Sequence, residues 1–214
     1  MAPICGIEAD EIRRVARKIT RAKSAMIFWG MGIAQHTHGT DNARCLIALA
    51  LLCGHIGRPG AGLHPLRGQN NVQGASDAGL IPMMYPDYRL VGDPSAQRAY
   101  EKLWGTKLSP QPGLTVVEII HAILTDEIQS MYIMGENPAM SDPDTHQTRK
   151  ALAKLKHLVV QDIFFTETAA FADVILPASA WPEKDGTVTN TDRRVQIGRK
   201  ALQTPGNARQ DWWI

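Results

Sequence analysis

The chain has 214 residues, enough for one large domain or two small ones. Its formal net charge is +2 and 44% of its residues are hydrophobic, which is a globular composition with no reason to expect binding to nucleic acid or an anionic membrane. The longest strongly apolar run, residues 45–53, is too short to span a bilayer and no signal peptide is visible, so we expect a cytoplasmic protein without membrane contact.

Helices and short strands alternate along the first part of the chain. Residues 8–22 carry apolar side chains at helical spacing, with acidic residues near the start and basic residues near the end, which suits the helix dipole. Residues 25–29 are a short apolar run that ends in glycine, which is typical of a buried parallel strand. Residues 40–55 predict a second helix that is apolar nearly all round, so we expect it to lie centrally.

The segment from Pro65 to Ala75 combines one arginine, two glycines and several amides, and it has neither a helical nor a strand period. It therefore predicts a loop that is held by polar contacts and binds something polar. Glycines let a backbone approach a ligand, amides supply paired donors and acceptors, and Arg67 offers a planar fork for a carboxylate or phosphate. The alternative is an ordinary polar turn.

The pattern of the chain after residue 75 predicts more helices and three further short strands. An irregular stretch rich in proline leads to helices at 94–104, 115–125 and 143–155 and to strands at 131–134, 158–160 and 174–176. The order of strand, helix and strand predicts βαβ units with right-handed crossovers. We therefore expect one parallel sheet, flanked by helices, that also includes residues 26–29. From residue 186 the alternation of Thr and Val indicates a hairpin or an extended arm.

Neither the cysteines nor the histidines predict a metal site. The three cysteines form no C-x-x-C pair, which excludes an encoded iron–sulfur cluster or zinc ribbon, and we expect them to be small buried apolar side chains. His36 and His38 are two residues apart, but no nearby cysteine or acidic pair supplies the other ligands that zinc needs.

Polar and glycine residues follow three of the predicted strands. They are Gly30-Met31-Gly32, Gly135-Glu136-Asn137 and Gln161-Asp162. Ligands collect at the carboxyl ends of strands in open parallel sheets, so the three together predict a bound dinucleotide, although each alone is also compatible with a routine strand-to-helix turn. The usual nicotinamide motif is incomplete because Gln35 stands where a third glycine is needed, and the Walker A pattern is absent.

Four segments together carry a family resemblance: 65–75, 30–39, 134–138, and 160–164 followed by 172–177. In order and spacing they resemble the molybdenum- or tungsten-bis(pyranopterin guanine dinucleotide) oxidoreductases, and within them the catalytic (alpha) subunits of formate dehydrogenases. Nitrate reductases share the general layout, but the sequence Arg-Gly-Gln-Asn-Asn at 67–71 resembles that of the formate dehydrogenases.

The resemblance implies oxidation of formate to carbon dioxide, with Arg67 as the catalytic residue that orients formate. It also implies that Asn137, Ser141, Gln161 and Asp211 contact the guanine dinucleotide portions of the cofactor, although the family more often has an acid at position 137 and Thr at 141. With the strand ends and the polar loop, the expected cofactor-binding residues are Gly30, Met31, Gly32, Gln35, Gly68, Gln69, Asn71, Gly135, Glu136, Asn137, Ser141, Gln161, Asp162 and Asp211.

The resemblance further implies an internal fragment of a multidomain subunit. Residues 1–69 would complete one α/β domain, 70–180 would form most of a second, and 181–214 would lead toward a third. The cysteine or selenocysteine that binds the metal, its adjacent histidine and the iron–sulfur cysteines are absent, so we expect the fragment alone to be inactive. Its expected partners are formate and carbon dioxide, the remainder of the catalytic subunit and electron-transfer subunits. The alternative is a standalone nucleotide-binding or scaffold module.

Overall fold

A computed structural model describes all residues of the chain, 1–214. The chain forms two compact units, Met1–Asn70 and Asn71–Ile214. Each contains parallel strands connected through helices, so the α/β class with parallel sheets that the sequence predicts is confirmed.

The first unit is built on two parallel strands. Its elements are α1 (Ala2–Cys5), α2 (Ala9–Arg21), β1 (Met26–Trp29), α3 (Met31–Ala34), α4 (Gly39–Leu52) and β2 (Gly62–Pro65). β1 and β2 pair from Met26 opposite Gly62 to Trp29 opposite Pro65, so both strands end at the same edge. The pattern did not predict β2, because a strand that begins with glycine and ends with proline has weak intrinsic strand preference.

The expectation that α4 lies centrally is wrong. Ala50 is fully buried, but Leu51 and Leu52 are 61% and 87% exposed. A sheet of two strands offers one short surface, so it cannot cover a helix that is apolar on every side. The end of α4 is instead fixed by His55, which is buried and has its Nε2 atom 3.0 Å from the carbonyl oxygen of Ile19.

Gly39 begins α4 in a position with no room for a side chain. A Cβ atom there would lie 1.8 Å from the carbonyl oxygen of Ala34. We expect Gly39→Ala to lower the free energy of unfolding by about 1–3 kcal/mol, because the overlap is with backbone. This outweighs the gain of about 1 kcal/mol that alanine has over glycine inside a helix. Urea unfolding of this variant and of Gly92→Ala, whose Cβ would meet no atom within 4 Å, gives the comparison. Equal midpoints for the two variants would contradict the expectation.

The second unit contains a parallel sheet of three strands with helices between them. Its elements are α5 (Val72–Asp77), β3 (Met84–Tyr85), β4 (Arg89–Leu90), α6 (Pro94–Trp104), α7 (Val116–Leu124), β5 (Ser130–Met134), α8 (Pro138–Ser141), α9 (Thr145–Lys154), β6 (His157–Asp162), β7 (Val174–Pro177), β8 (Gly186–Thr189) and β9 (Val195–Gly198). The strand order is β5-β6-β7, and the antiparallel pairs β3-β4 and β8-β9 are separate. The hairpin expected after residue 186 is confirmed.

The core of this unit lies between the sheet and α8 and α9. Its buried members are Ile133, Ala139, Leu152, Leu158, Val160 and Ala169. A second apolar cluster joins α7 to α9 through Ile120, Ile123 and Ala151. Helix boundaries are set locally: Asp93 accepts a hydrogen bond from the backbone N–H of Ser95 before α6, and at α7 Glu118 accepts hydrogen bonds from the backbone N–H and the hydroxyl of Thr115.

Three further expectations are corrected. The four predicted strands do not share one sheet, because β1 pairs with β2 while β5, β6 and β7 form their own sheet. Residues 72–75 lie in α5 and not in a loop, so the irregular part of the polar segment is shorter than predicted. The cysteines are not buried: Cys5 and Cys45 are exposed and Cys53 is half-buried.

None of the helices combines the length and apolar character required to cross a membrane.

Candidate functional site

In the first unit, two of the predicted ligand segments lie at one edge of the sheet. Trp29 and Pro65 are paired at the ends of their strands, and the backbone N–H of Leu66 donates to the carbonyl oxygen of Trp29 over 2.7 Å. The segment Gly30-Met31-Gly32 therefore starts beside the segment that carries Arg67. Parallel pairing, which the strand patterns did not predict for these two strands, brings them together.

The side chains of this edge are available to a ligand. Arg67 and Gln69 are exposed, and neither side chain forms a hydrogen bond or ion pair within the chain. A Cβ atom at Gly32 or Gly68 would meet no atom within 4 Å, and neither residue has a positive φ angle. Packing and backbone conformation within the chain therefore do not require glycine at these two positions. Close approach of a ligand to the backbone would require it.

The neighbouring histidines are exposed and lie apart from other side chains that bind metals. His36 has its Nε2 atom 2.8 Å from the carbonyl oxygen of Gly32, and both His36 and His38 are exposed. No group of three or more His, Cys, Asp or Glu side chains is arranged to hold a metal ion. Gln35, the last member of this segment with an expected cofactor role, is also exposed.

In the second unit, the carboxyl ends of three strands are adjacent. The backbone N–H of Gly135 donates to the carbonyl oxygen of Gln161 over 2.9 Å, and that of Ala178 donates to the carbonyl oxygen of Asp162 over 3.0 Å. Gly135 has φ of 66°, a left-handed conformation that favours glycine. The predicted segments after β5 and β6 are therefore neighbours, and the end of β7 joins them.

Asn137 is largely occupied by contacts within the chain. Its Oδ1 atom accepts hydrogen bonds from the backbone N–H and the hydroxyl of Thr168, at 3.1 and 2.7 Å, and its Nδ2 atom donates to Glu167 over 2.7 Å. The hydroxyl of Ser141 donates to the carbonyl oxygen of Asn137 over 3.1 Å. Only the second N–H of the Asn137 amide is left for a cofactor, because Oδ1 already has two donors.

The Asn137 amide lowers the pKa of Glu167, because its N–H bond stabilises the ionised carboxylate. We expect Asn137→Ala to return this pKa toward the ordinary value for glutamate. A carboxyl whose pKa is depressed in the folded state stabilises the fold at neutral pH, and this contribution is lost as the pH falls through the acidic range in which Glu167 is protonated. Carbon-detected NMR titration of Glu167 in both proteins measures the shift, and identical titration curves would show that the amide has no such effect.

Gln161 and Asp211 are joined to each other. The Nε2 atom of Gln161 donates to Oδ1 of Asp211 over 2.9 Å, while its Oε1 atom accepts a hydrogen bond from the hydroxyl of Tyr132. Lys184 forms an ion pair with the other oxygen of Asp211. Sequence reasoning did not find Tyr132 or Lys184, because their partners are 29 and 27 residues away along the chain.

The other expected cofactor residues of this unit have different surroundings. The Oδ1 atom of Asn71 accepts from the backbone N–H of Thr189 over 2.8 Å, so this side chain holds β8. Asp162 accepts from the backbone N–H of Ile163 over 2.7 Å.

Glu136 is exposed and borders a mainly apolar cavity of about 470 Å³ beside β5. Asp142 borders the same cavity, and burial raises the pKa of its carboxyl.

The chain is similar to a family model and to several named proteins. A family model described as molybdopterin oxidoreductase matches residues 12–214. The alpha subunit of an F420-dependent formate dehydrogenase from Methanocaldococcus jannaschii is 50% identical over 211 residues, covering 99% of this chain and 31% of that protein. Formate dehydrogenase H of Escherichia coli is 44% identical over 212 residues, covering 99% of this chain and 30% of that protein.

A solved structure agrees in fold. Acetylene hydratase from Pelobacter acetylenicus superposes with a TM-score of 0.66 at 16% identity, over 97% of this chain and 31% of that one. The chain thus spans about 30% of the length of these three proteins. The resemblance indicated by the four motifs is confirmed, and the chain belongs to the molybdopterin oxidoreductase family.

Proposed function

We propose that the chain is an internal part of the catalytic subunit of a formate dehydrogenase, which oxidises formate to carbon dioxide with release of two electrons and a proton. The observation that carries this proposal is the exposed guanidinium of Arg67, which has no partner and stands at the carboxyl edge of β1 and β2. The names of relatives that are 44–50% identical over nearly the whole chain support the same activity.

Arg67 suits the chemistry of formate. Formate offers one carboxylate and one C–H bond, so a planar guanidinium that binds both carboxylate oxygens also sets the direction of the C–H bond. The same fork neutralises the substrate charge while it is held. Gln69, on the same irregular segment and also without a partner, is available to hold the cofactor or the segment itself.

Two features of the chain support the proposal of a bis(pyranopterin guanine dinucleotide) cofactor. The open space at Gly32 and Gly68 admits a ligand against the backbone, and the hydroxyl of Ser179, at the end of β7, is buried without a hydrogen-bond partner. The cofactor's molybdenum or tungsten centre would supply the two-electron redox chemistry when bound. The residues proposed to hold the cofactor are Gly30, Met31, Gly32, Gln35, Gly68, Gln69, Asn71, Gly135, Glu136, Asn137, Ser141, Gln161, Asp162 and Asp211.

The proposal extends to the organisation of the whole protein. Residues 1–69 and 70–180 would belong to two α/β domains, and 181–214 would lead toward a third. The iron–sulfur cluster and the metal-binding residue would lie in the rest of the catalytic subunit, and electron-transfer subunits would accept the electrons. A cytoplasmic location is part of the same proposal.

We expect the purified 214-residue chain to lack formate dehydrogenase activity and bound metal. None of its three cysteines is followed by histidine, and no cluster of metal-binding side chains is present. The test compares this chain with the full-length subunit for formate-dependent dye reduction and for metal content by mass spectrometry. Stoichiometric molybdenum or tungsten in the 214-residue chain would contradict the expectation, and a full-length subunit that does not oxidise formate would overturn the proposed function.

A further inference from the structure

Four side chains form an unbroken polar chain at the carboxyl edge of the β5-β6-β7 sheet. The Tyr132 hydroxyl donates to Gln161, the Gln161 amide donates to Asp211, and the Lys184 ammonium donates to Asp211. Gln161 is only 2% exposed, and the Lys184 and Asp211 side chains are 29% and 31% exposed. The interaction between Lys184 and Asp211 is therefore less screened than an ordinary surface ion pair.

The backbone around Asp211 is held against the sheet. The backbone N–H of Arg209 donates to the carbonyl oxygen of Pro177 over 3.0 Å. The backbone N–H of Ser179 donates to the carbonyl oxygen of Arg209 over 2.8 Å. These bonds extend the sheet by one short parallel contact beyond β7. Because the backbone two residues earlier is fixed, Lys184 and Gln161 decide the orientation of the Asp211 carboxylate.

The direction of every hydrogen bond in this chain is determined. The carboxylate of Asp211 only accepts, so Gln161 must present its NH₂ group there and its oxygen to Tyr132. Each oxygen of Asp211 then has one donor and keeps capacity for one more. Two adjacent N–H donors on a ligand would match this pair of free sites.

Guanine has such a pair of donors, N1–H and the N2 amino group, on one edge of its ring. Adenine has one amino donor and a ring acceptor on the corresponding edge, so it would leave one of the two remaining acceptor sites of the carboxylate unfilled. A bare phosphate gains little at this position, because the Lys184 charge is already offset by the Asp211 carboxylate. The arrangement therefore favours a guanine base over adenine or a free anion.

We propose that Lys184 is a positioning residue for the guanine dinucleotide: it fixes the Asp211 carboxylate in the orientation that accepts the base. This rests on the proposed function, which supplies the guanine dinucleotide. Lys184 is not itself assigned a contact with the base. Its role is separable from that of a structural salt bridge, because the chain contains a comparison pair in the same unit, Lys154 and Asp126, 2.8 Å apart.

The experiment uses the full-length subunit loaded with its cofactor. Wild type, Lys184→Met, Lys184→Arg and the control Lys154→Met are dialysed, and the GMP released by acid hydrolysis and the fluorescence of the oxidised pterin are measured per subunit over time. We expect Lys184→Met to lose guanine nucleotide on the order of tenfold faster than wild type, the effect of one lost charge-assisted hydrogen bond. Lys184→Arg should restore part of the retention, and Lys154→Met should behave like wild type.

The outcomes separate the two proposals. If the wild-type subunit contains no GMP-bearing pterin, the proposed cofactor is wrong. If wild type retains the cofactor and Lys184→Met retains it as well as Lys154→Met does, the positioning role is overturned. The thermal midpoints of the cofactor-free proteins are measured as well. If Lys184→Met has a lower midpoint than wild type and this destabilisation accounts for its loss of nucleotide, the residue is purely structural.

Discussion

Replacing Arg67 with alanine in the full-length subunit is expected to lower formate turnover by about tenfold to more than a hundredfold, with little change in the thermal midpoint. Loss of a charge-assisted contact costs roughly 1.5–3 kcal/mol per hydrogen bond, which corresponds to that range of rates. The fold has little to lose, because the side chain is exposed and has no partner in the chain. Steady-state formate oxidation and thermal unfolding of the same preparations measure both effects.

Two further variants show whether the effect belongs to the guanidinium. Arg67→Lys keeps the charge and loses the planar fork, so it should recover only part of the activity. Arg17→Ala removes another exposed arginine from the same unit, on α2, and should leave turnover unchanged. Near-normal turnover in Arg67→Ala, or a loss explained by unfolding, would refute the substrate-orienting role.

Leu152→Ala is expected to destabilise the protein by about 2–5 kcal/mol, the range for removing a large aliphatic side chain from a core. Leu152 is 2% exposed and packs with Ile133, Ala139 and Leu158 between α9 and the sheet. For a chain of this size, each kcal/mol corresponds to about 2–4 °C in the thermal midpoint. Thermal unfolding followed by circular dichroism measures the change.

Leu103→Ala is the matched control for this substitution. Leu103 also lies in a helix of the second unit, α6, but is 72% exposed, so the same chemical change removes little buried surface. We expect it to alter the free energy of unfolding by less than about 0.5 kcal/mol. Equal losses in the two variants would show that the cluster around Leu152 is not a core.

The elements whose signals are local could be predicted from the sequence. The bounds of α6 agree with the pattern, because Asp93 caps its start and Gly105, in a left-handed conformation, follows its end. The strands at β5, β6 and β7 agree as well, since a short apolar run between polar turns marks a buried strand regardless of its neighbours. The motifs that carry the family resemblance are likewise local, and they sufficed to indicate the family.

Strand pairing, burial and side-chain partners depended on the tertiary structure. Apolar periodicity shows that a strand seeks neighbours, but not which ones, so β1 was wrongly grouped with β5, β6 and β7 when its partner is β2. The exposure of α4 could not be predicted for the same reason: the sequence of a helix does not show how large a sheet surface will pack against it. The ion pair of Lys184 with Asp211 joins residues 27 apart, and no pattern in the sequence links the two. Only the folded backbone brings them together, because a long-range contact leaves no periodic signal in either segment.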